Sequence, residues 1–138
     1  MRALITGAAG QDGTILSTML ARQGAQVVGL VKPATDYQQL LRYVPDIQIT
    51  EVDLSDTDAL RHVVKEASPT HIWNFGGFIA PGESWDHQDE VWRINVDAVE
   101  ALLSCAAELT SPARVFQASS SHIYEGTDRS PQTEDFEL

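Results

Sequence analysis

The feature that most constrains this chain is the run Thr6-Gly7-Ala8-Ala9-Gly10-Gln11-Asp12-Gly13 near its start. It follows Ala3-Leu4-Ile5, a short apolar and β-prone segment, and leads into a helical pattern. There Ile15, Met19 and Leu20 lie one turn apart and Gly24 supplies a C-terminal stop. A glycine-rich turn that closes a strand and opens a helix aims free main-chain N–H groups and the positive end of the helix dipole at one point, which makes it a receptor for phosphate. Gly7 is expected to permit the tight turn, Gly10 to let backbone approach a pyrophosphate, and Gly13 to let the helix pack close to the sheet. The competing reading is a glycine-rich turn with no ligand.

The rest of the chain alternates in the same way. Val27-Val28-Gly29-Leu30-Val31 is a continuous apolar run, as a strand covered on both faces requires, and Pro33 ends it. A short helix is expected over 36–44 and a third strand around Ile47, Ile49 and Val52. A helix over 55–67 is expected to be capped by Ser55, with Asp56 and Asp58 near its positive end. His71 to Phe75 reads as a fourth strand running into Gly76-Gly77, 86–109 as a long helix, and Val115 to Ala118 as a fifth strand. Strands alternating with helices imply right-handed βαβ units and a parallel sheet covered on both faces. The expected class is therefore α/β, a doubly wound Rossmann-type sheet with strand order 3-2-1-4-5.

With 138 residues there is room for one domain and little more, expected over 1–124. The segment 125–138 carries Glu125, Asp128, Glu134, Asp135 and Glu137 against Arg129 and reads as an acidic loop or tail. Nine basic residues against 20 acidic ones give a net charge of −11, which leaves no electrostatic footprint for nucleic acid or an anionic membrane. No apolar run approaches the ~20 residues that span a bilayer. The single cysteine, Cys105, can form neither an internal disulfide nor a metal cluster and reads as a buried packing residue. A cytoplasmic protein without a metal site is the expectation.

The glycine spacing of three and three resembles the TGxxGxxG of the extended short-chain dehydrogenase/reductase family. The run Gly10-Gln11-Asp12-Gly13 is similar to the TGxxGQDG of its GDP-mannose 4,6-dehydratase branch. The resemblance continues through Val52-Asp53-Leu54, Trp73-Asn74-Phe75-Gly76-Gly77, Asn95-Val96 and Ala118-Ser119-Ser120-Ser121-His122-Ile123-Tyr124. It implies a dinucleotide held by Gly7, Gly10, Gln11, Asp12, Gly13, Asp53, Leu54, Phe75, Gly76, Gly77 and Ser119. In that arrangement Asp53 accepts from the adenine amino group, unless it is only a turn residue closing the strand. An acidic residue at the end of the second strand would favour NAD. Here Leu30-Val31-Lys32 has no carboxylate until Asp36, so Lys32 is the candidate to meet a 2′-phosphate and NADP is the expected cofactor, with NAD the alternative. Lys32 reads equally well as a plain surface lysine.

For catalysis the resemblance implies nucleotide-sugar chemistry with hydride transfer at sugar C4, of dehydratase, epimerase or reductase type. Ser120 and Ser121 stand where the family places its Ser/Thr pair, and Ser120 matches the residue that bonds the reacting oxygen. His122 occupies the position of the dehydratase glutamate that removes the C5 proton; histidine can transfer protons near neutral pH. The family's Tyr-x-x-x-Lys is absent: residues four after Tyr37, Tyr43 and Tyr124 are Leu41, Ile47 and Asp128, and the lysines are Lys32 and Lys65. The resemblance places that motif, a sixth strand and a substrate-binding part beyond residue 138. The sheet is thus expected to be incomplete on its C-terminal side, Leu138 to mark a truncation point, and this chain to turn nothing over. A non-catalytic dinucleotide-binding or interaction module is the alternative.

Within 86–109 the apolar residues fall into two stripes. Trp92, Val96, Val99, Leu103 and Ala106 make one; Val91, Ile94, Ala98, Leu102, Cys105 and Leu109 make the other. One stripe can cover the sheet and the second needs another neighbour, so a homo-oligomer through this helix is expected. Trp85 and Trp92 read as packing groups and Asn95 as a buried polar contact.

Overall fold

The computed structural model describes residues 1–78, 82–124, 126 and 130–135. Five parallel strands form one sheet: β1 (Arg2–Thr6), β2 (Gln26–Val31), β3 (Gln48–Glu51), β4 (His71–Asn74) and β5 (Arg114–Gln117). Their order is β3-β2-β1-β4-β5, as the alternating pattern predicts. α1 (Gln11–Arg22), α2 (Gln38–Tyr43) and α3 (Thr57–Ala67) connect the first four strands. α4 (Gln88–Trp92), a π-helical turn over Arg93–Asp97 and α5 (Ala98–Glu108) lie between β4 and β5, and a 3₁₀ turn over Ser121–Tyr124 follows β5.

Successive strand residues point to opposite faces, so each central strand feeds two cores. On one face Ala3 and Ile5 pack with Val27, Val31, Leu20 and Leu40; on the other Leu4 packs with Val28, Leu30, Leu60, Ile72 and Leu102. This is why β1 and β2 are apolar without alternation: both faces are covered by helices.

Several local expectations are corrected. Ile15 and Met19 are about half exposed. α1 instead buries Gly13, Thr14, Ser17 and Leu20, because the helix lies too close to the sheet for large side chains along its first two turns. The cap of α3 is Asp56, whose carboxylate accepts the Ala59 N–H at 3.0 Å, while Ser55 turns back to Asp53. The helix expected over 86–109 is interrupted by the wider turn at Arg93–Asp97. Ile94, Ala98, Leu102, Cys105 and Ala106 are buried, whereas Trp92, Val96 and Leu103 face solvent. Trp85, at 80% exposure, packs little. Asn95 is exposed rather than buried, but its amide clamps the backbone of Phe78, accepting its N–H at 2.9 Å and donating to its carbonyl at 3.1 Å. Of the acidic segment, Glu125, Asp128 and Glu137 lie outside the described residues.

Candidate functional site

β1 ends at Thr6, and Gly7 turns the chain with φ +63°, a conformation that side chains disfavour. The Gly10 N–H then bonds the Gly7 carbonyl at 2.9 Å, and Gly10 becomes the N-cap of α1. Among the described residues no side chain caps that helix, and its first N–H groups lie at the C-terminal edge of the sheet, where open α/β sheets receive ligands. A Cβ on Gly13 would lie 2.3 Å from the Gly7 carbonyl oxygen, and one on Gly76 would lie 2.5 Å from Leu54 Cδ1. The turn and helix start therefore meet at van der Waals distance only because Gly13 lacks a side chain, and the β4 loop approaches the turn at Gly7, where a Cβ would lie 3.0 Å from the Gly76 nitrogen. Gln11 and Asp12 lie exposed on the first turn of α1.

A row of polar side chains crosses the C-terminal ends of three strands. Thr6, Asn74 and Gln117 stand in register on β1, β4 and β5. The Thr6 hydroxyl donates to Asn74 Oδ1 and accepts the Gly76 N–H at 2.8 Å, and Asn74 Nδ2 donates to Gln117 Oε1 at 2.7 Å. Thr6 and Asn74 are buried, so their polar atoms take these bonds in place of water, while Gln117 at the end of the row is exposed. The row links the phosphate turn to the segment after β5.

Over the glycine turn opens a cleft of about 430 Å³. Its walls contain Gly7, Gly10, Lys32, Asp53, Leu54, Phe75, Gly76 and Gly77, and therefore gather most of the predicted binding residues in one place. They also contain Thr35, Phe78, Glu90 and Ile94, which the sequence gives no reason to single out. A larger concavity, about 790 Å³, lies at the opposite, N-terminal end of the strands between Arg22, Tyr43 and Glu66 and is distinct from these residues. Ser119, Ser120 and His122 follow β5 outside the cleft walls. Ser120 Oγ accepts the His122 N–H at 3.2 Å, which makes the start of the 3₁₀ turn. Ser121 opens that turn.

Asp53 lies near the start of the connection from β3 to α3. Its Oδ1 accepts both the Ser55 N–H at 2.9 Å and the Ser55 hydroxyl at 2.8 Å. The backbone bond first, then the hydroxyl bond, and to a lesser degree the Lys32 ammonium hold its carboxyl below the ordinary aspartate value against a burial effect of opposite sign. Lys32 Nζ lies 3.8 Å from Glu90 Oε1, reaching across the cleft from the end of β2 to α4.

A doubly wound parallel sheet with an uncapped helix start over a glycine-lined cleft defines a Rossmann-type dinucleotide-binding domain. The chain belongs to the GDP-mannose 4,6-dehydratase family, whose model matches residues 4–138. The GDP-mannose 4,6-dehydratase of Yersinia enterocolitica serotype O:8 is 32% identical over 146 residues, covering 96% of this chain and 39% of that protein. The UDP-glucose 4-epimerase of Brucella ovis in complex with NAD is 27% identical with a TM-score of 0.80, over 96% of this chain and 40% of that one. The UDP-glucose 4-epimerase of Stenotrophomonas maltophila with bound NAD shares the fold at a TM-score of 0.84 and 22% identity, over 98% of this chain and 41% of that one. The chain thus spans about two fifths of the length of the relatives it matches.

The NADP expectation is corrected. Both solved relatives hold NAD. The lysine on which the expectation rested is flanked by Glu90 at 3.8 Å and lies near the Asp53 carboxylate. A 2′-phosphate there would meet two carboxylates for one ammonium. Among the described residues, no helix is long and apolar enough to cross a membrane.

Proposed function

We propose that this chain binds NAD in the cleft above Gly7 and Gly10 and supplies the dinucleotide-binding part of a nucleotide-sugar-modifying enzyme. The observation that carries the reading is the unblocked start of α1 over a cleft whose glycines leave no room for side chains. The diphosphate would lie on the main-chain N–H groups from Gly10 to Gly13, with Gln11 and Asp12 at its rim. Asp53 offers Oδ2 to the adenine amino group, since both of its bonds to Ser55 use Oδ1. Leu54 and Phe75 make apolar walls, and Gly76 and Gly77 let the backbone approach the ribose.

NAD when bound supplies a hydride acceptor and donor, and hydride exchange at C4 of a nucleotide sugar is the reaction we infer for the whole protein. In that reaction Ser119 borders the cofactor and Ser120 hydrogen-bonds the reacting oxygen. Ser121 completes the pair, and His122 stands in the position of the proton-transferring base. The 138 residues contain no tyrosine four residues before a lysine, so this chain alone binds without turnover. The exposed Trp92, Val96 and Leu103 on one side of α4 to α5 favour association with a second copy.

Calorimetric titration with NAD and NADP tests the reading. NAD binding tighter than NADP is expected. No binding of NAD, or tighter binding of NADP, would overturn it.

A further inference from the structure

The polar row across β1, β4 and β5 does not stop at its three side chains. It begins at a main-chain donor, the Gly76 N–H on the Thr6 hydroxyl, and ends at a main-chain acceptor, the Ala118 carbonyl, which takes a hydrogen from Gln117 Nε2 at 2.7 Å. Those two ends fix the sense of every bond between them. A carbonyl only accepts, so the Gln117 nitrogen faces Ala118 and its Oε1 faces Asn74. Asn74 must then present Nδ2 to Gln117 and Oδ1 to Thr6, whose hydroxyl donates to Asn74 while it accepts from Gly76. Neither amide can turn over without setting like groups against each other. Bonds aligned head to tail polarise one another, and Thr6 and Asn74 are shielded from water. Gln117 is exposed, yet its amide is tied at both ends. Ala118 is consequently gripped on both main-chain groups, its N–H by the Asn74 carbonyl at 3.1 Å and its carbonyl by Gln117. Ser119 and Ser120 come next, and Ser120 accepts two N–H groups of the turn that follows, His122 on Oγ and Ile123 on the carbonyl, each at 3.2 Å.

We propose that Gln117 is the positioning residue of the serine segment after β5, set in place through Asn74 and Thr6 by the glycine loop that walls the cleft. The proposal rests on the role given above to Ser120. A hydroxyl that bonds a reacting oxygen acts only when it is held in reach of that oxygen, and a small misplacement costs much of its effect. Among the described residues β5 pairs with β4 alone, so the ladder holds its end from one side. The side-chain row adds a second tie where the strand becomes loop. Because its other end is Gly76, the row also refers the serines to the loop that borders the cleft. Gln117 acts on them through the Ala118 carbonyl and is not itself a cleft residue.

Amide exchange followed by NMR on the 138-residue chain tests this, with the His122 and Ile123 N–H groups reporting where Ser120 lies. Gln117→Met keeps the length of the side chain and removes both of its bonds. In that variant the two amides are expected to exchange about five- to tenfold faster, the weight of one hydrogen bond, while the Leu4 and Ile5 amides in β1 keep parental rates. Thr6→Val breaks the row at its far end and is expected to quicken the same two amides; Thr6→Ser retains the hydroxyl and is expected to leave them unchanged. Parental exchange at His122 and Ile123 in Gln117→Met overturns the proposal. So does an equal acceleration of Leu4 and Ile5, which would make Gln117 a general stabiliser of the sheet. Equal rates in Thr6→Val and Thr6→Ser overturn the action through the Thr6 hydroxyl, and if Thr6→Val does not fold, Gln117→Met decides alone. Calorimetry with NAD on the parent chain keeps the two readings apart: absence of binding removes the function proposed above, whereas the exchange rates judge the placement of the serines independently.

Discussion

Replacing Gly13 by alanine adds one methyl group at the tightest point of the site. Its Cβ would lie 2.3 Å from the Gly7 carbonyl oxygen and 2.7 and 2.9 Å from the Ala8 Cα and carbonyl carbon. All three are main-chain atoms of the turn, so no side chain can swing away. Helix propensity favours alanine by about 1 kcal/mol, and overpacking costs about 1–3 kcal/mol. With three backbone atoms inside 3 Å the clash belongs at or beyond the upper end, for a net loss of about 2 kcal/mol. In a domain of this size that lowers the melting midpoint by roughly 6–8 °C. Relief requires the start of α1 to move off the turn, which also spreads the N–H groups meant for a diphosphate. NAD affinity is therefore expected to fall at least about tenfold, equivalent to about 1.4 kcal/mol. Gly24→Ala is the control. It too has positive φ, at +78°, but open space around it, so it should cost about 1 kcal/mol of backbone strain and leave NAD affinity alone. Thermal melts and calorimetry on both variants decide the matter. A Gly13→Ala chain no less stable than Gly24→Ala, with parental NAD affinity, would refute the close-packing account.

Other consequences are open to measurement. The Ser55 bonds hold the Asp53 carboxyl below the ordinary aspartate value of 3.8, so the stability it adds is present above that pH and lost as pH falls through the lower, folded value. Asp53→Asn should consequently flatten the acid-unfolding curve below about pH 4, and an unchanged curve would contradict the assignment. Thr6→Val keeps the shape of the side chain but strands the Gly76 N–H and Asn74 Oδ1. It should lose about 2–3 kcal/mol in urea titrations that Thr6→Ser retains; equal stability of the two variants would argue against the polar row. Leu103→Glu, at a half-exposed position, should shift sedimentation toward the monomer while changing stability by no more than about 0.5 kcal/mol. An unaltered sedimentation profile would move the association surface elsewhere.

The strand order was legible because each βα unit announces itself: apolar runs for strands covered on both faces, then helical spacing, then glycine, proline or a capping residue. The glycine turn before α1 was legible because its glycines serve backbone geometry, and backbone geometry is local. What escaped was decided by neighbours distant in sequence. Ile15 and Met19 have the spacing of a buried stripe, yet the sheet lies so near α1 that Gly13, Thr14 and Ser17 face it instead. The π-helical turn at Arg93–Asp97 sits inside an unbroken helical pattern with no proline or glycine to mark it. Lys32 suggested a phosphate ligand because its counter-charge, Glu90, comes from a different helix. The polar row of Thr6, Asn74 and Gln117 depends on strand register, which a single strand cannot reveal.

Because the anion receptor proposed at the start of α1 would be made of peptide amides, it would present no side chain that reagents for lysine, arginine or carboxylate can modify, and none that titrates. Acylating Lys32 and Lys65 would leave those amides in place, and carboxylates can accumulate elsewhere on the surface without dismantling the receptor. Sequence drift could thus rewrite the outer charge of such a domain while a grip on phosphate of this kind would be inherited through the path of the chain alone.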